Sequence, residues 1–455
     1  MVTVIGAGLA GSEAAWQLAS RGVRVRLIEM RPVRMTPAHR TAFFGELVCS
    51  NSLRNASLTT AVGVLKEEMR RLGSLVMQAA DRARVPAGGA LAVDREEFAR
   101  ALTQALERHP MVEVVRGEAT AIPDTVTVVA TGPLTSPALE AELARLVGSR
   151  HLYFYDAIAP VVSAGSIDMG KAFRASRYGT SGDDGDYINC PMTHGEYEAF
   201  VTALLGAQQF AAHEFEKPLY FEGCMPIEEM ARRGPMTLAF GPMKPVGLVD
   251  PRTGRRPAAV VQLRQDDRAG RLYSMVGFQT KMLHGEQRRI FRTIPGLERV
   301  EFVRLGSLHR NTFIDAPRVL APTLQLRARP ELFLAGQMTG VEGYVESAAM
   351  GLFAGLNAER LLRGRPLLTP PPETALGSLV AYISEPARRD FQPMNANFGL
   401  MPETDDRRRG VEKREALANR ALGAIESWIA AAAIEPPPVA PAEASQTAAD
   451  AEHWG

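Results

Sequence analysis

Two kinds of residue in this sequence could do chemistry: glycines spaced to admit a phosphate, and cysteines in polar surroundings. Gly6, Gly8 and Gly11 follow the apolar run at residues 1–5 in the spacing G-x-G-x-x-G. In such a turn Gly6 permits the tight bend, Gly8 lets the backbone approach a pyrophosphate, and Gly11 lets the following helix pack closely. The helix N-terminus then offers its N–H groups and dipole to the phosphates. With Ala7, Leu9 and Ala10 these glycines make the candidate phosphate-binding turn. Glu29 ends the next apolar run, where a carboxylate can accept both hydroxyls of a ribose. A glycine-rich turn with no ligand is the plain alternative. The strand before it, the helix after it and the acid beyond weigh against that alternative.

The chain has three cysteines, too few for a disulfide framework, and no C-x-x-C pair that would point to zinc or dithiol chemistry. Such usage fits a reducing, cytoplasmic setting. Cys49 lies in GELVCSNSLRN and Cys224 in YFEGCMPIEEMARRGP, both loop-like. Arg54 follows the first, and Arg232 and Arg233 follow the second; nearby cations favour the nucleophilic thiolate. Cys190, in YINCPMT, stands beside a proline at a strand end. For each cysteine a small buried hydrophobe is the competing reading.

The elements that must position these residues begin with a strand at 1–5, a helix at 12–21 and a strand at 23–28. This is the opening of an α/β, Rossmann-type unit. Residues 31–60 read as a long functional loop. Helices at 62–71 and 95–107 and strands at 112–116 and 125–130 follow. FAD and NAD share the glycine fingerprint, so a second feature must choose. Residues 332–355, LFLAGQMTGVEGYVESAAMGLFAG, read as a strand, a glycine-rich turn and a helix. Flavoproteins of the two-dinucleotide class close their FAD site with such a segment. Together with the Ala-Thr-Gly turn at 130–132 it selects FAD, and Gly336, Gln337, Gly340, Gly343 and Tyr344 become candidate contacts.

Between these segments the pattern changes to short strands, at 237–240, 258–263 and 272–276, with a helix at 196–205. This is the pattern of an inserted α+β domain. The expected division is a first FAD-binding part at 1–165, the insert at 166–300, and a second FAD-binding part with C-terminal helices at 301–433. Residues 434–455, rich in Pro and Ala and without Lys or Arg, read as a disordered tail. A net charge of +1 selects no partner, but residues 231–300 hold 14 Lys/Arg against 5 Asp/Glu. That excess could face nucleic-acid phosphates or simply be a solvated surface. No apolar run is long enough to span a membrane, and a strand starting at residue 1 leaves no place for a signal peptide.

At GAGLAG, LVCSNSLR, YINCPM, FEGCMPIEEMA, VGFQTKM, HRNTFI and GQMTGVEGYVESAAMG the sequence resembles the TrmFO family, from residue 1 to about 433. These are folate- and FAD-dependent tRNA (uracil-5-)-methyltransferases. The resemblance implies methylation of C5 of the T-loop uridine to ribothymidine. The carbon would come from 5,10-methylenetetrahydrofolate, with reduced FAD as carrier and reductant and NADH or NADPH restoring it. It implies that Cys224 is the nucleophile and Cys49 a base or proton acceptor, while Cys190 serves packing. It makes tRNA, folate and a nicotinamide nucleotide the partners, with no membrane and no obligate protein partner. Arg232, Arg233, Lys244, Lys281, Arg288 and Arg289 become candidates for tRNA phosphate contacts, and His309 and Arg310 for flavin or folate. The GidA (MnmG) family shares both dinucleotide segments but has other cysteine contexts and a long C-terminal extension. A plain NAD(P)H flavin oxidoreductase and a flavin-binding scaffold are further alternatives.

Overall fold

A computed structural model describes residues 1–147, 151–177, 185–210, 225–388, 391–403 and 408–440, with backbone alone at 151–157 and 308–312. The first strand, Val2–Ile5, is buried throughout, as expected of a continuous apolar run covered on both faces. It pairs in parallel with Val25–Glu29 on one side and Thr127–Val129 on the other. Val112–Arg116 extends the sheet beyond the first neighbour and Arg329–Leu334 beyond the second, both parallel. Gln325–Leu326 adds an antiparallel edge and completes six strands. The sheet therefore joins strands from the first 130 residues to strands at 325–334, with the fingerprint strand near its middle.

The fingerprint helix, Leu9–Ala19, is buried along its whole length. It packs against the long helix Tyr344–Leu362 backbone to backbone. A Cβ added at Gly351 would lie 2.0 Å from the Ala10 carbonyl oxygen, and one at Gly355 would lie 2.9 Å from that of Ala14. Only glycine allows that approach. These two helices, more than 300 residues apart in sequence, thus share one seam.

A second sheet is antiparallel. Its order is Phe173–Arg174, Tyr187–Met192, Ala259–Gln265, Leu272–Met275, Val161–Ser163 and Phe302–Arg304. Helices His194–Leu205, Ile227–Arg232 and His284–Phe291 pack with it around a separate core that includes Cys190, Phe200, Phe278 and Phe291. The first of these helices begins with a capping box: Thr193 accepts from the Glu196 N–H, and the Glu196 side chain accepts from the Thr193 N–H. The chain enters and leaves this α+β insert through an antiparallel ribbon of His151–Ala157 and Leu308–Ile314. A small third sheet, of Ser52–Asn55, Ala90–Val93 and Arg84–Val85, holds the end of the 31–60 loop.

Two expectations need correction. Residues 237–240 form a helical turn, Thr237–Phe240, where a strand was predicted. Four apolar residues carry no period of their own. The tertiary contact decides: the Ala239 N–H donates to the Tyr197 hydroxyl at 3.2 Å. The predicted tail is also packed at its start. Ile434 and Ala440 are buried, Ala440 N–H donates to Gln78 at 2.8 Å, and Arg82 donates to the Ala440 carbonyl. Pro- and Ala-rich composition does not tell an unpacked tail from an apolar strap. Residues 441–455 lie outside the described residues. Among the described residues, no helix is long and apolar enough to cross a membrane.

Candidate active site

The three fingerprint glycines each meet a different surrounding. Gly6 has φ +93°, and a Cβ there would lie 2.7 Å from the Ala130 carbonyl oxygen. A Cβ at Gly11 would lie 1.7 Å from the Gly6 carbonyl oxygen, so helix and turn touch. At Gly8 a Cβ would meet nothing within 4 Å, because Gly8 faces a cavity of about 150 Å³. Gly6, Leu9, Ala10, Glu29, Gly336, Gln337 and Tyr344 also line that cavity, with the turn at 130–132. Ala7 stands behind it: its N–H donates to Glu29 Oε2 at 2.8 Å.

Glu29 Oε1 accepts from the Arg31 Nε–H at 2.8 Å and from the Arg31 backbone N–H at 3.0 Å. Burial pushes the Glu29 carboxyl up, but Arg31 and the two N–H groups outweigh it, and the net shift is downward. The group is an oriented carboxylate with lone pairs left for a ribose.

Neither Leu9–Ala19 nor Tyr344–Leu362 has a side-chain cap at its N-terminus. Their first N–H groups are left for a ligand or solvent. Two uncapped helix starts bordering one cavity, with the Glu29 carboxylate beside them, suit the two phosphates and ribose of a dinucleotide such as FAD.

A second cleft, about 520 Å³, adjoins the first; Val48, Pro133, Leu134, Gln337 and Tyr344 line both. Cys49, Arg54, Gly343, Met225, Met230, Pro242 and Arg264 line only the second. At the junction the Tyr344 hydroxyl oxygen accepts from the Cys49 N–H at 2.8 Å and the Ser50 N–H at 3.3 Å. The Cys49 Sγ lies 2.8 Å from the same oxygen. With two amides donating into the oxygen, the phenol's own hydrogen is directed to the sulfur. Burial first, and then the Cys49 sulfur, push the phenol well above its ordinary value, with Arg95 pulling the other way. Tyr344 is therefore a neutral donor.

Three arginines hold the Cys49 loop from outside. Arg95 donates to the Leu47 carbonyl at 2.7 Å and Arg304 to the Val48 carbonyl at 3.0 Å. Arg264 donates to Ser50 Oγ at 2.7 Å and Asn51 Oδ1 at 2.9 Å. Asp266, 3.0 Å from Arg95, is the carboxylate of this group. Burial, and then the like charge of Arg95, lower the Arg304 guanidinium to about 10. Sequence reasoning did not single out these arginines. The available signal was Arg264, a charged residue inside the strand-like run AVVQLRQ.

The family model described as "Glucose inhibited division protein A" matches residues 1–366. The methylenetetrahydrofolate–tRNA-(uracil-5-)-methyltransferase TrmFO of Geotalea uraniireducens is 60% identical over 429 residues, 94% of this chain and 98% of that one. The protein of the same name from Anoxybacillus flavithermus is 61% identical over 431 residues, 94% of this chain and 99% of that one. The chain belongs to the TrmFO family. The structure of Aquifex aeolicus GidA has a TM-score of 0.67 at 16% identity, covering 94% of this chain and 73% of that one, which is a likeness of fold.

The remaining predicted residues of this TrmFO-family chain fall in different places. Cys224 lies outside the described residues. Cys190 is wholly buried in the insert, with its thiol pushed up to about 12 by burial. Gly340 lines neither cavity; a Cβ there would meet the Phe391 ring. Among the basic candidates, Lys281 is 2.7 Å from Glu229, Arg232 is 3.7 Å from the same carboxylate, and Arg289 is 2.6 Å from Glu286. Arg232, Arg233, Arg288 and Arg289 are exposed and Lys244 is half-buried. His309 and Arg310 lie on the returning strand of the ribbon.

Proposed function

We propose that this protein methylates C5 of the T-loop uridine of tRNA to ribothymidine, with 5,10-methylenetetrahydrofolate as carbon donor. The observation that carries the site is the Cys49–Tyr344 pair at the junction of the cavity lined by the glycine turn and a larger cleft lined in part by the insert. When bound, FAD supplies one-carbon carriage and hydride chemistry. Gly6, Ala7, Gly8, Leu9, Ala10, Gly11 and Glu29 would hold its ADP half, and Gly336, Gln337, Gly343 and Tyr344 would form the flavin side, with Gly340 packed behind them on Phe391. NADH or NADPH is the reductant in this reading, and the setting is cytoplasmic.

C5 of uracil is a poor nucleophile until a group adds at C6. A thiolate suits that task because it is strongly nucleophilic and leaves readily. We assign the addition to Cys224; its neighbour Met225 lines the same cleft as Cys49. Cys49 takes the proton from C5 once the new carbon is attached, and expulsion of the Cys224 thiolate then restores the ring. Tyr344 holds the Cys49 sulfur through its hydroxyl. Arg95, Arg264 and Arg304 fix the loop and give the cleft wall a positive potential. The basic insert holds the tRNA backbone.

The test combines the protein with unmodified tRNA, labelled methylenetetrahydrofolate and NADH, and looks for label in ribothymidine. Transfer from S-adenosylmethionine in place of folate would sink this reading. Cys224→Ala is expected to abolish methylation with FAD still bound, as read by flavin absorbance of the purified variant.

A further inference from the structure

Phe240 is 79% exposed, although the turn that carries it is firmly anchored. Leu238 and Met243 on either side are fully buried. The Met243 N–H donates to the Leu238 carbonyl at 2.8 Å. The Tyr197 hydroxyl, accepting from Ala239, itself donates to the Pro235 carbonyl at 2.7 Å. The ring is therefore held out into solvent by a fixed support.

Its position relates to the cleft. Two residues on, Pro242 lines the wall of the Cys49 cleft. It packs so closely on Gly277 that a Cβ there would lie 2.4 Å from the Pro242 Cβ. Two residues span about 7 Å of backbone. Phe240 thus lies within about 7 Å of backbone from a residue of the Cys49 cleft wall.

The surroundings select the occupant. Residues 232–256 contain Arg232, Arg233, Lys244, Arg252, Arg255 and Arg256 against the single acid Asp250. Arg252 takes up that carboxylate at 2.8 Å. Arg233, Arg255 and Arg256 are exposed. Met236, Val246 and Val249 also show apolar surface here, so a second copy of the chain is the competing occupant. A two-fold pairing would set this cationic segment against itself, however, and like-charge juxtaposition across an interface is costly. An exposed aromatic ring among cations is the arrangement that binds unpaired nucleotides, with phosphates on the cations and a base face on the ring.

We propose that Phe240 stacks on a nucleobase of the substrate RNA, a neighbour of the base that enters the Cys49 cleft. The proposal rests on tRNA being the substrate. The experiment measures the Kd for unmodified tRNA over a range of salt, together with FAD content and oligomeric state, for the parent, Phe240→Ala, Phe240→Leu and Phe240→Trp. Phe240→Ala should weaken binding about tenfold at every salt concentration, leaving FAD content and the slope against salt unchanged. Phe240→Trp should restore affinity and Phe240→Leu should not. Replacing Arg255 and Arg256 by Ala should instead flatten the salt slope by about two. Unchanged binding by Phe240→Ala, rescue by Leu as complete as by Trp, or a changed oligomeric state in Phe240→Ala would overturn the proposal. A parent that binds no tRNA would overturn both this proposal and the reading it rests on. A parent that methylates tRNA beside an unaffected Phe240→Ala would remove this proposal alone.

Discussion

Tyr344 works through one oxygen that does two things. It accepts from the Cys49 and Ser50 amides, which shapes the loop, and its hydrogen points to the Cys49 sulfur, which orients the thiol. Tyr344→Phe keeps the ring and removes both. A hydrogen bond to a reacting group contributes about 1–1.5 kcal/mol net, so kcat for tRNA methylation should fall about tenfold. FAD occupancy should stay near that of the parent, because the ring still fills its place. A variant with unchanged kcat would show that the hydroxyl has no part in the reaction. Nothing in the spacing of Cys49 and Tyr344, 295 residues apart, announces this contact. The sequence marked each residue separately, one as a thiol in a polar loop and the other as part of a glycine-rich closing segment.

At the scale of elements, the site depends on the seam between Leu9–Ala19 and Tyr344–Leu362. Gly351→Ala would place a methyl 2.0 Å from the Ala10 carbonyl oxygen, which is backbone and cannot rotate away. The helices must separate, at a cost of about 1–3 kcal/mol. The purified variant should be less stable in urea and poorer in FAD, since the same movement opens the phosphate-binding turn.

The start of Ala375–Ser384 carries a second element-scale prediction. Glu68 on the helix Ala61–Arg71 accepts from the Ala375 N–H at 2.7 Å and the Leu376 N–H at 2.8 Å. Burial pushes its carboxyl from 4.5 up to about 8 despite those donors. A raised carboxyl contributes its full stability below the unfolded value and loses it as pH rises through the folded one. The stability of the parent relative to Glu68→Gln should therefore decline between about pH 5 and pH 8. Urea midpoints at several pH values test this, and a constant difference would refute it.

At the scale of the whole molecule, two cores of different construction meet around the Cys49 loop. The parallel sheet brings together segments on both sides of the insert, and the antiparallel insert contributes Arg264, Met225 and the basic segment. Residues 434–440 strap the outside of the first core, with Ile434 and Ala440 buried against it. Ending the chain after Ala433 should cost about 2 kcal/mol or more, the worth of burying one isoleucine side chain. Thermal unfolding of the shortened protein measures it, and an unchanged midpoint would show the strap to be idle.

The sequence by itself determined the dinucleotide-binding fold, because that motif is local. Strand, glycine turn, helix and acid lie within the first 29 residues; Gly6 and Gly11 are each required by a neighbour close in the chain or in the sheet, and Gly8 faces the cavity. It also determined that the far glycine segment belongs with the first, since strand, turn and helix are again contiguous. Only the tertiary structure decided what surrounds Cys49. Arg95, Arg264, Arg304 and Tyr344 come from separate elements and meet at one loop through long-range packing, which leaves no spacing to read. Only the tertiary structure, too, turned residues 237–240 into a helix, because Tyr197 from another element holds the Ala239 amide. The same turn leaves Phe240 facing solvent, two residues from the cleft wall at Pro242.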